Sequence, residues 1–351
     1  TPIYTKGHDV DAKTFNEQCE QIFKERFPEG VKPEHISYPT GSLDELELIN
    51  YTSGTTSDPK GVMLSARAIS SNIEFAIKHM PNQPGWHILS MLPLGHMYGM
   101  AFEFLYPLAS GCHIFFLGKT PTPSVLIKAL GEVQPYMLVT VPLVVEKIFK
   151  GKVMPTLNKP IMKILTAIPG INKIIYNKVR TKLLTTFGGN LERGSLIVGG
   201  AAINEKVEKL MKKMNFPYTV GYGMTEAVAA VCLDPQFASK PGTIGIPFPG
   251  NYLKIVKPGT HIEADIDEDG ELCICGPTVM LGYYNNEKET NEALHIHKDG
   301  NVWLHSGDIA SMDKDGYITY KQRLKRMIVT SGYNVYPSQI EEVIEIVNEE
   351  V

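Results

Sequence analysis

The sequence predicts an α/β protein: a doubly wound, largely parallel sheet with helices on both faces, followed by a small antiparallel, barrel-like β subdomain. Three observations carry this. From about residue 60 to 235, helical segments alternate with short apolar runs such as 86–92, 113–117, 136–141 and 196–200, the rhythm of a buried parallel sheet. After about 240 the texture changes to short strands and tight turns, with Asp269-Gly270, Asp299-Gly300 and Asp315-Gly316 as hairpin signals. Glycine-containing turns also follow the apolar runs, at the carboxyl ends of the predicted strands, where such sheets hold ligands.

The first informative element is a loop. Residues 51–64 run Tyr-Thr-Ser-Gly-Thr-Thr-Ser-Asp-Pro-Lys-Gly-Val-Met-Leu, between an apolar lead-in and a run that reads as a helix. Gly54 and Gly61 let backbone N–H groups turn inward, while Thr52, Ser53, Thr55, Thr56 and Ser57 add hydroxyls and Lys60 a cation. That combination suits phosphate better than a solvated linker. It is not a Walker loop, because the lysine precedes its glycine.

Later elements are read in the same way. Leu92-Pro-Leu-Gly-His-Met-Tyr-Gly-Met100 is apolar around one histidine, His96, which suits either a pocket wall or a hydrogen-bonded core position. Residues 162–184 mix isoleucines with lysines at helical spacing. The segment suits weak peripheral contact with an anionic membrane, and it equally suits a pair of amphipathic helices packed on the core, the reading preferred here. Val198-Gly-Gly-Ala-Ala202 ends a strand and opens a helix, and Val220-Gly-Tyr-Gly-Met-Thr-Glu-Ala227 follows another strand. Asp265 to Gly270 has acids at calcium-loop positions one, three and five, but Gly276 stands where that loop needs a bidentate glutamate, so it reads as a polar turn.

Composition narrows the class. With 351 residues, 43% hydrophobic, 21% charged and net charge −4, the chain has no electrostatic case for binding nucleic acid. Five cysteines are odd in number, and Cys273-x-Cys275 fits one strand better than a bridge, which favours a reducing compartment. No run of about 18 apolar residues and no signal-peptide layout is present. The expectation is a cytoplasmic enzyme; oligomeric state is not legible.

The 51–62 loop closely resembles the signature of the adenylate-forming superfamily, which includes acyl-CoA synthetases, luciferases and peptide-synthetase adenylation domains. Ser57 stands where that family usually has glycine. Four further segments match in order, so the resemblance covers most of the chain. It implies an ATP/AMP site built from Thr52, Ser53, Gly54, Thr55, Thr56 and Lys60 on the phosphates and Gly200, Ala201 and Ala202 at the adenine. Gly221, Tyr222 and Gly223 then follow, with Tyr222 stacked on the base. It implies that Thr225 donates to phosphate, Glu226 holds Mg2+ and Asp308, in Trp303-Leu-His-Ser-Gly-Asp308, grips the ribose. Tyr320 and Arg323 complete the nucleotide site, Arg323 on ribose or α-phosphate, and Lys325 occupies a hinge; Thr225, Glu226 and Lys325 are the implied catalytic group. His96, Met97 and Gly99 line the acyl pocket on the same resemblance.

The implied reaction joins a carboxylic acid to the α-phosphate of ATP, releases pyrophosphate and passes the acyl group to a thiol, with ATP, Mg2+ and CoA as cofactors. Leu92, Met97, Met100, Phe102, Phe104 and residues 227–231 offer apolar lining, favouring a medium- or long-chain fatty acid. An aromatic acid, a carrier-protein acceptor and a nucleotide sensor are the rival readings. The expected organisation is 1–240 as the α/β part, 241–323 as the β subdomain and 324–351 as hinge and start of a mobile cap, with the family's pattern cut short at both ends.

Overall fold

The computed structural model describes residues 12–37, 40–52, 59–192, 195–233, 239–326, 328–330, 333–335 and 337. The chain divides into two compact units, residues 1–42 and 43–351. The first carries helix α1 (Ala12–Arg26) and a short turn at Pro33–His35. Everything below concerns the second.

It opens with β1 (Leu46–Tyr51) and β2 (Gly61–Ser65), an antiparallel pair in which Tyr51 faces Gly61. The run after Lys60 is therefore a strand before it is a helix, correcting the sequence expectation. Alternation in Val62-Met63-Leu64 lets β2 pack between sheet partners, and helix α2 (Ala66–His79) starts only where the Ser65 hydroxyl accepts from Ala68 N at 3.1 Å. Its buried face is Ala68, Asn72, Ile73 and Ala76, spaced at a helical period.

The main sheet contains β3 (His87–Ser90), β4 (His113–Phe116), β5 (Met137–Thr140), β6 (Ser195–Val198), β7 (Tyr218–Tyr222), β8 (Cys232–Leu233) and β9 (Ile246–Pro247), in the order β4-β3-β5-β6-β7-β8-β9. β3 to β7 are parallel, and β8 and β9 run antiparallel. All four residues of β5 and of β6 are buried. Successive side chains enter opposite cores: Leu89, Leu138, Leu196 and Val198 pack in one cluster, and Ile88, Met137, Val139 and Ile197 in another. Both faces are covered, as expected from continuous apolar runs.

The second sheet is antiparallel, built from β10 (Tyr252–Val256), β11 (Gly270–Cys275), β13 (Leu294–Ile296), β14 (Val302–Met312) and β15 (Ile318–Arg323), while β12 (Gly282–Tyr283) joins β2 instead. Its order is β10-β11-β14-β13, with β15 also on β14. Among the described residues it is an open antiparallel sheet, so the barrel-like expectation holds only as an antiparallel layer. Asp299-Gly300 and Asp315-Gly316 lie in turns, as predicted, but Asp269-Gly270 does not. The chain turns at Ile266–Asp267, where Asp267 has φ +64°, and Gly270 already belongs to β11. A Cβ on Gly270 would lie 2.4 Å from Val256 O, so glycine is there for close strand approach. β16 (Ile328–Thr330) and β17 (Tyr333–Val335) form a separate hairpin.

Residues 162–184 fall on helices Pro160–Ala167 and Ile171–Thr186. Ile175, Leu183 and Leu184 are buried, while Ile161, Ile164 and Ile174 are exposed.

Candidate functional site

The site lies beyond the carboxyl ends of β6 and β7, adjacent parallel strands of the main sheet. After β6 the chain passes through Gly199-Gly200, where Gly200 has φ +84°, into Ala201 and Ala202. After β7 comes Gly223, whose place no other residue can take: a Cβ would meet Ala229 O at 2.0 Å and Ala230 Cα at 2.5 Å. The returning segment 228–230 is fixed by Asn72, which donates to Ala230 O at 2.6 Å.

The second sheet supplies the facing wall. Between Glu271 and Cys273 the β11–β14 pairing slips, so that residues 306–308 bulge out of register. Gly307 adopts φ +68° and its N–H donates to Glu271 Oε1 at 3.1 Å. The bulge re-aims Asp308 towards β7. There the Tyr222 hydroxyl donates to Asp308 Oδ2 at 2.6 Å, and Arg323 Nε, opposite on β15, lies 3.1 Å from Oδ1. That ion pair lacks hydrogen-bond alignment, leaving Oδ1 buried without a hydrogen-bond donor. Burial pushes the Asp308 carboxyl above its ordinary range, against the opposing pull of Arg323 and Tyr222.

These elements enclose one cavity of about 320 Å³. Nine predicted nucleotide residues line it: Gly200, Ala201 and Ala202; Gly221, Tyr222 and Gly223; and Asp308, Tyr320 and Arg323. Tyr222 and Tyr320 face one another with ring centroids 6.3 Å apart. A vicinal diol fits the orphaned Asp308 oxygen, because a carboxylate accepts two O–H donors at once.

Thr225 and Glu226 sit in a short turn directly after β7. Tyr283 Oη donates to Glu226 Oε1 at 2.9 Å, and Glu226 O accepts from Met280 N at 2.8 Å. The Tyr283 phenol is pushed up by burial and by Glu226. Lys60 is not in the cavity wall; its ammonium pairs with Glu289 and lies 4.9 Å from the centre of the Tyr283 ring. Tyr283 thus brings Lys60 and Glu226 together, because β12 pairs Tyr283 with Val62 and Tyr284 N donates to Gly61 O at 2.7 Å. Lys60 leads the causes that hold the Glu289 carboxyl below its ordinary range, with Lys325 a further one. Thr52 closes the loop base, accepting from Lys60 N at 3.2 Å. Ser53, Gly54, Thr55, Thr56 and Ser57 lie outside the described residues. The carboxylate of Glu226 is a hard oxygen donor suited to Mg2+.

A slot of about 40 Å³ adjoins the cavity across Gly200, Gly221 and Gly223, and His96, Met97 and Thr225 line it. His96 also caps the following helix, its Nδ1 accepting from Tyr98 N at 3.3 Å, but it is exposed, so the core position expected as its alternative is not what it occupies. Gly99 does not line the slot; its closeness to Pro93 O, 2.8 Å from a Cβ built there, is a packing requirement. Beyond Met80, Ile197 and Leu233, which the two spaces share, opens a third cavity of about 430 Å³ walled by residues such as Phe75 and Phe248.

Several supporting residues escaped the sequence reading. Glu103, fully buried, accepts from Ser90 Oγ, Met91 N and Leu92 N at 2.8–3.1 Å and so holds the turn that begins the His96 segment. Burial pushes its carboxyl up to about 7. Tyr98 Oη spans the Thr140 and Ile197 carbonyls. Tyr283, Glu289 and Glu271 act through long-range pairs that no local pattern signals.

The profile of the AMP-binding enzyme family matches residues 5–284. A long-chain-fatty-acid–CoA ligase from Salmonella typhimurium is 32% identical over 97% of this chain and 54% of its own length. A probable 4-coumarate–CoA ligase from Dictyostelium discoideum is 31% identical over 87% of this chain and 50% of its own. The chain thus spans about half the length of the curated relatives it matches. ATP-bound MatB from Rhodopseudomonas palustris superposes with a TM-score of 0.69 at 23% identity, over 88% of this chain and 54% of that one. MenE from Bacillus subtilis in complex with ATP and magnesium ion gives 0.68 at 21% identity, over 92% and 59%.

Proposed function

Because the chain belongs to the AMP-binding enzyme family, we propose that it activates a fatty acid with ATP, forming an acyl-adenylate that CoA then captures as a thioester. The observation that supports this most is the shared glycine wall. The polar cavity lined by Tyr222 and Asp308 and the apolar slot lined by His96 and Met97 meet at Gly200, Gly221 and Gly223. A nucleotide on one side and an acid on the other meet where the α-phosphate and carboxylate must react.

The geometry supports a role for each residue. Asp308 accepts the ribose hydroxyls through its unpartnered oxygen, and Tyr222 and Tyr320 hold the base. Arg323, free to shift from Asp308, balances phosphate charge. Thr225 donates a hydroxyl at the junction. Lys60, on releasing Glu289, turns to the departing pyrophosphate with the 52–57 loop. Mg2+ held by Glu226 supplies charge neutralisation when a carboxylate approaches a polyanion. No side-chain nucleophile is required; catalysis is positioning and electrostatics. Lys325 sits where a hinge at 324 would let a cap turn between the two half-reactions.

The 430 Å³ cavity beyond Met80 and Leu233 favours an extended acyl chain over a compact aromatic acid. The 4-coumarate relative keeps the aromatic reading as the rival. Hydroxamate trapping of the adenylate by the natural protein, across aliphatic and aromatic acids, decides between them; best turnover on 4-coumarate-like acids overturns the fatty-acid assignment. Glu226→Gln lowers pyrophosphate release on the order of 10²- to 10³-fold while the folded protein still binds AMP. Undiminished release removes Glu226 from the chemistry.

A further inference from the structure

On the far side of the antiparallel sheet lies a second constellation. Register puts Lys254, Cys273 and His305 in one row across β10, β11 and β14, and Trp303 opposite His295 on β13. Residues of the other parity, Leu272, Ile274 and Leu304, enter the core. Four imidazoles therefore gather on the face turned away from it: His295 on edge strand β13, His297 just after it, His305 on β14 and His261 from the β10–β11 connection. The His261 and His297 rings stack with centroids 4.1 Å apart.

The proton positions are set by the partners. His305 Nδ1 meets Glu271 Oε2 at 2.9 Å, so it carries the proton and Nε2 keeps its lone pair. His295 Nε2 meets the carbonyl of Glu292 at 3.1 Å, which leaves Nδ1 as the lone-pair nitrogen. That Nδ1 lies 3.1 Å from His261 Nε2, and His305 Nε2 lies 2.9 Å from His297 Nε2. Ligand atoms of His261, His295 and His305 all fall within 4.8 Å of one another. Tetrahedral zinc with Zn–N bonds of about 2.0–2.1 Å needs nitrogens about 3.3 Å apart. Pinning one ring nitrogen on a carboxylate or carbonyl while the other faces a common point is how zinc-binding histidines are oriented.

We propose that His261, His295 and His305 bind a divalent transition-metal ion, zinc being the best match. Imidazole-only donors suit Zn2+, Ni2+ or Cu2+ and not Mg2+. His297 sits behind His305, its Nε2 against His305 Nε2 and its Nδ1 buried without a hydrogen-bond partner. The nearby cation, Lys254, is engaged by the Trp303 face and by Glu263 and Asp299. His261 is exposed and gives the ion a way in. Glu271 ties this site to the first one, since its other oxygen holds Gly307 N in the Asp308 bulge.

A tag-free, chelator-stripped chain is titrated with zinc chloride by calorimetry, and its metal content is measured after gel filtration. The expected result is one zinc per chain, with affinity falling at least tenfold in His261→Ala and in His295→Ala. His261→Ala alone decides if His295→Ala fails to fold, because the His261 ring is exposed. Cobalt substitution gives the visible bands of a tetrahedral site with imidazole ligands and no thiolate charge-transfer band, and Cys273→Ser leaves them unchanged. The proposal is overturned if the unmodified chain retains no stoichiometric zinc or if His261→Ala binds like it. It is also overturned if Cys273→Ser abolishes binding, which would shift the ion to Cys273, His297 and His305, the other trio within reach.

Discussion

The polar cavity at Asp308 and the slot at His96 share a wall but are built from different material. The cavity, about 320 Å³, is bounded by backbone held in unusual conformations: Gly200 at φ +84°, Gly223 pressed against Ala229, and the bulge carrying Asp308. The slot, about 40 Å³, is bounded mainly by side chains, among them Met80, Met97, Phe102 and Met224. Backbone geometry cannot relax without moving a sheet, whereas methionines change rotamer at little cost. Under the proposed function, the part of the ligand common to every turnover would meet the rigid side, and the part that varies the adaptable one.

The largest expected effect comes from adding one methyl on the rigid side. Gly223→Ala should destabilise the fold by about 3 kcal/mol and weaken AMP binding more than a hundredfold, because the obstructing atoms are backbone. Denaturant midpoints and calorimetry measure both, and near-normal values would mean this wall is as plastic as the other. Asp308→Asn keeps the shape and removes the charge; AMP affinity should fall by about 2 kcal/mol, roughly thirtyfold. The same change should cost a 2′,3′-dideoxy nucleotide little, and an equal loss on both would place Asp308 off the ribose.

On the adaptable side, bulk should redirect specificity and leave the nucleotide alone. Met80→Trp, at the junction of the slot and the 430 Å³ cavity, should lower turnover on long acids about tenfold relative to short ones, with AMP affinity unchanged. Loss of activity on every chain length alike would separate that cavity from the acyl path. A last effect, on stability alone, concerns Glu103. Its carboxyl titrates near 7 in the fold against 4.5 when free, so the native state holds the extra proton between those values. Stability should therefore fall as pH rises from about 4.5 to about 7, by about 3 kcal/mol at most, and stay level above. Glu103→Gln should flatten that slope in thermal melts; an unaltered slope would assign it to other groups.

Much of the candidate site was legible because it is local. Gly200, Tyr222, Gly223 and Glu226 follow strand ends directly, where a doubly wound sheet must present them, and the parallel sheet declared itself through its apolar runs. The residues that were missed share a cause. Glu103, Glu271, Tyr283 and Glu289 do their work through partners 11 to 229 positions away. Likewise His295-x-His297 shows only that two rings share a strand face; that His261 and His305 meet them is a matter of register.

By itself, the sequence determined the α/β class, the order of the nucleotide motifs and the residues of the cavity wall, since strand period and glycine-dependent turns are properties of short segments. Only the tertiary structure decided that β2 precedes α2, that Gly270 serves strand contact rather than a turn, that Lys60 rests on Glu289, and that four histidines converge. Those outcomes depend on which strand pairs with which and by how many residues it slips, and that is settled by packing across the whole chain.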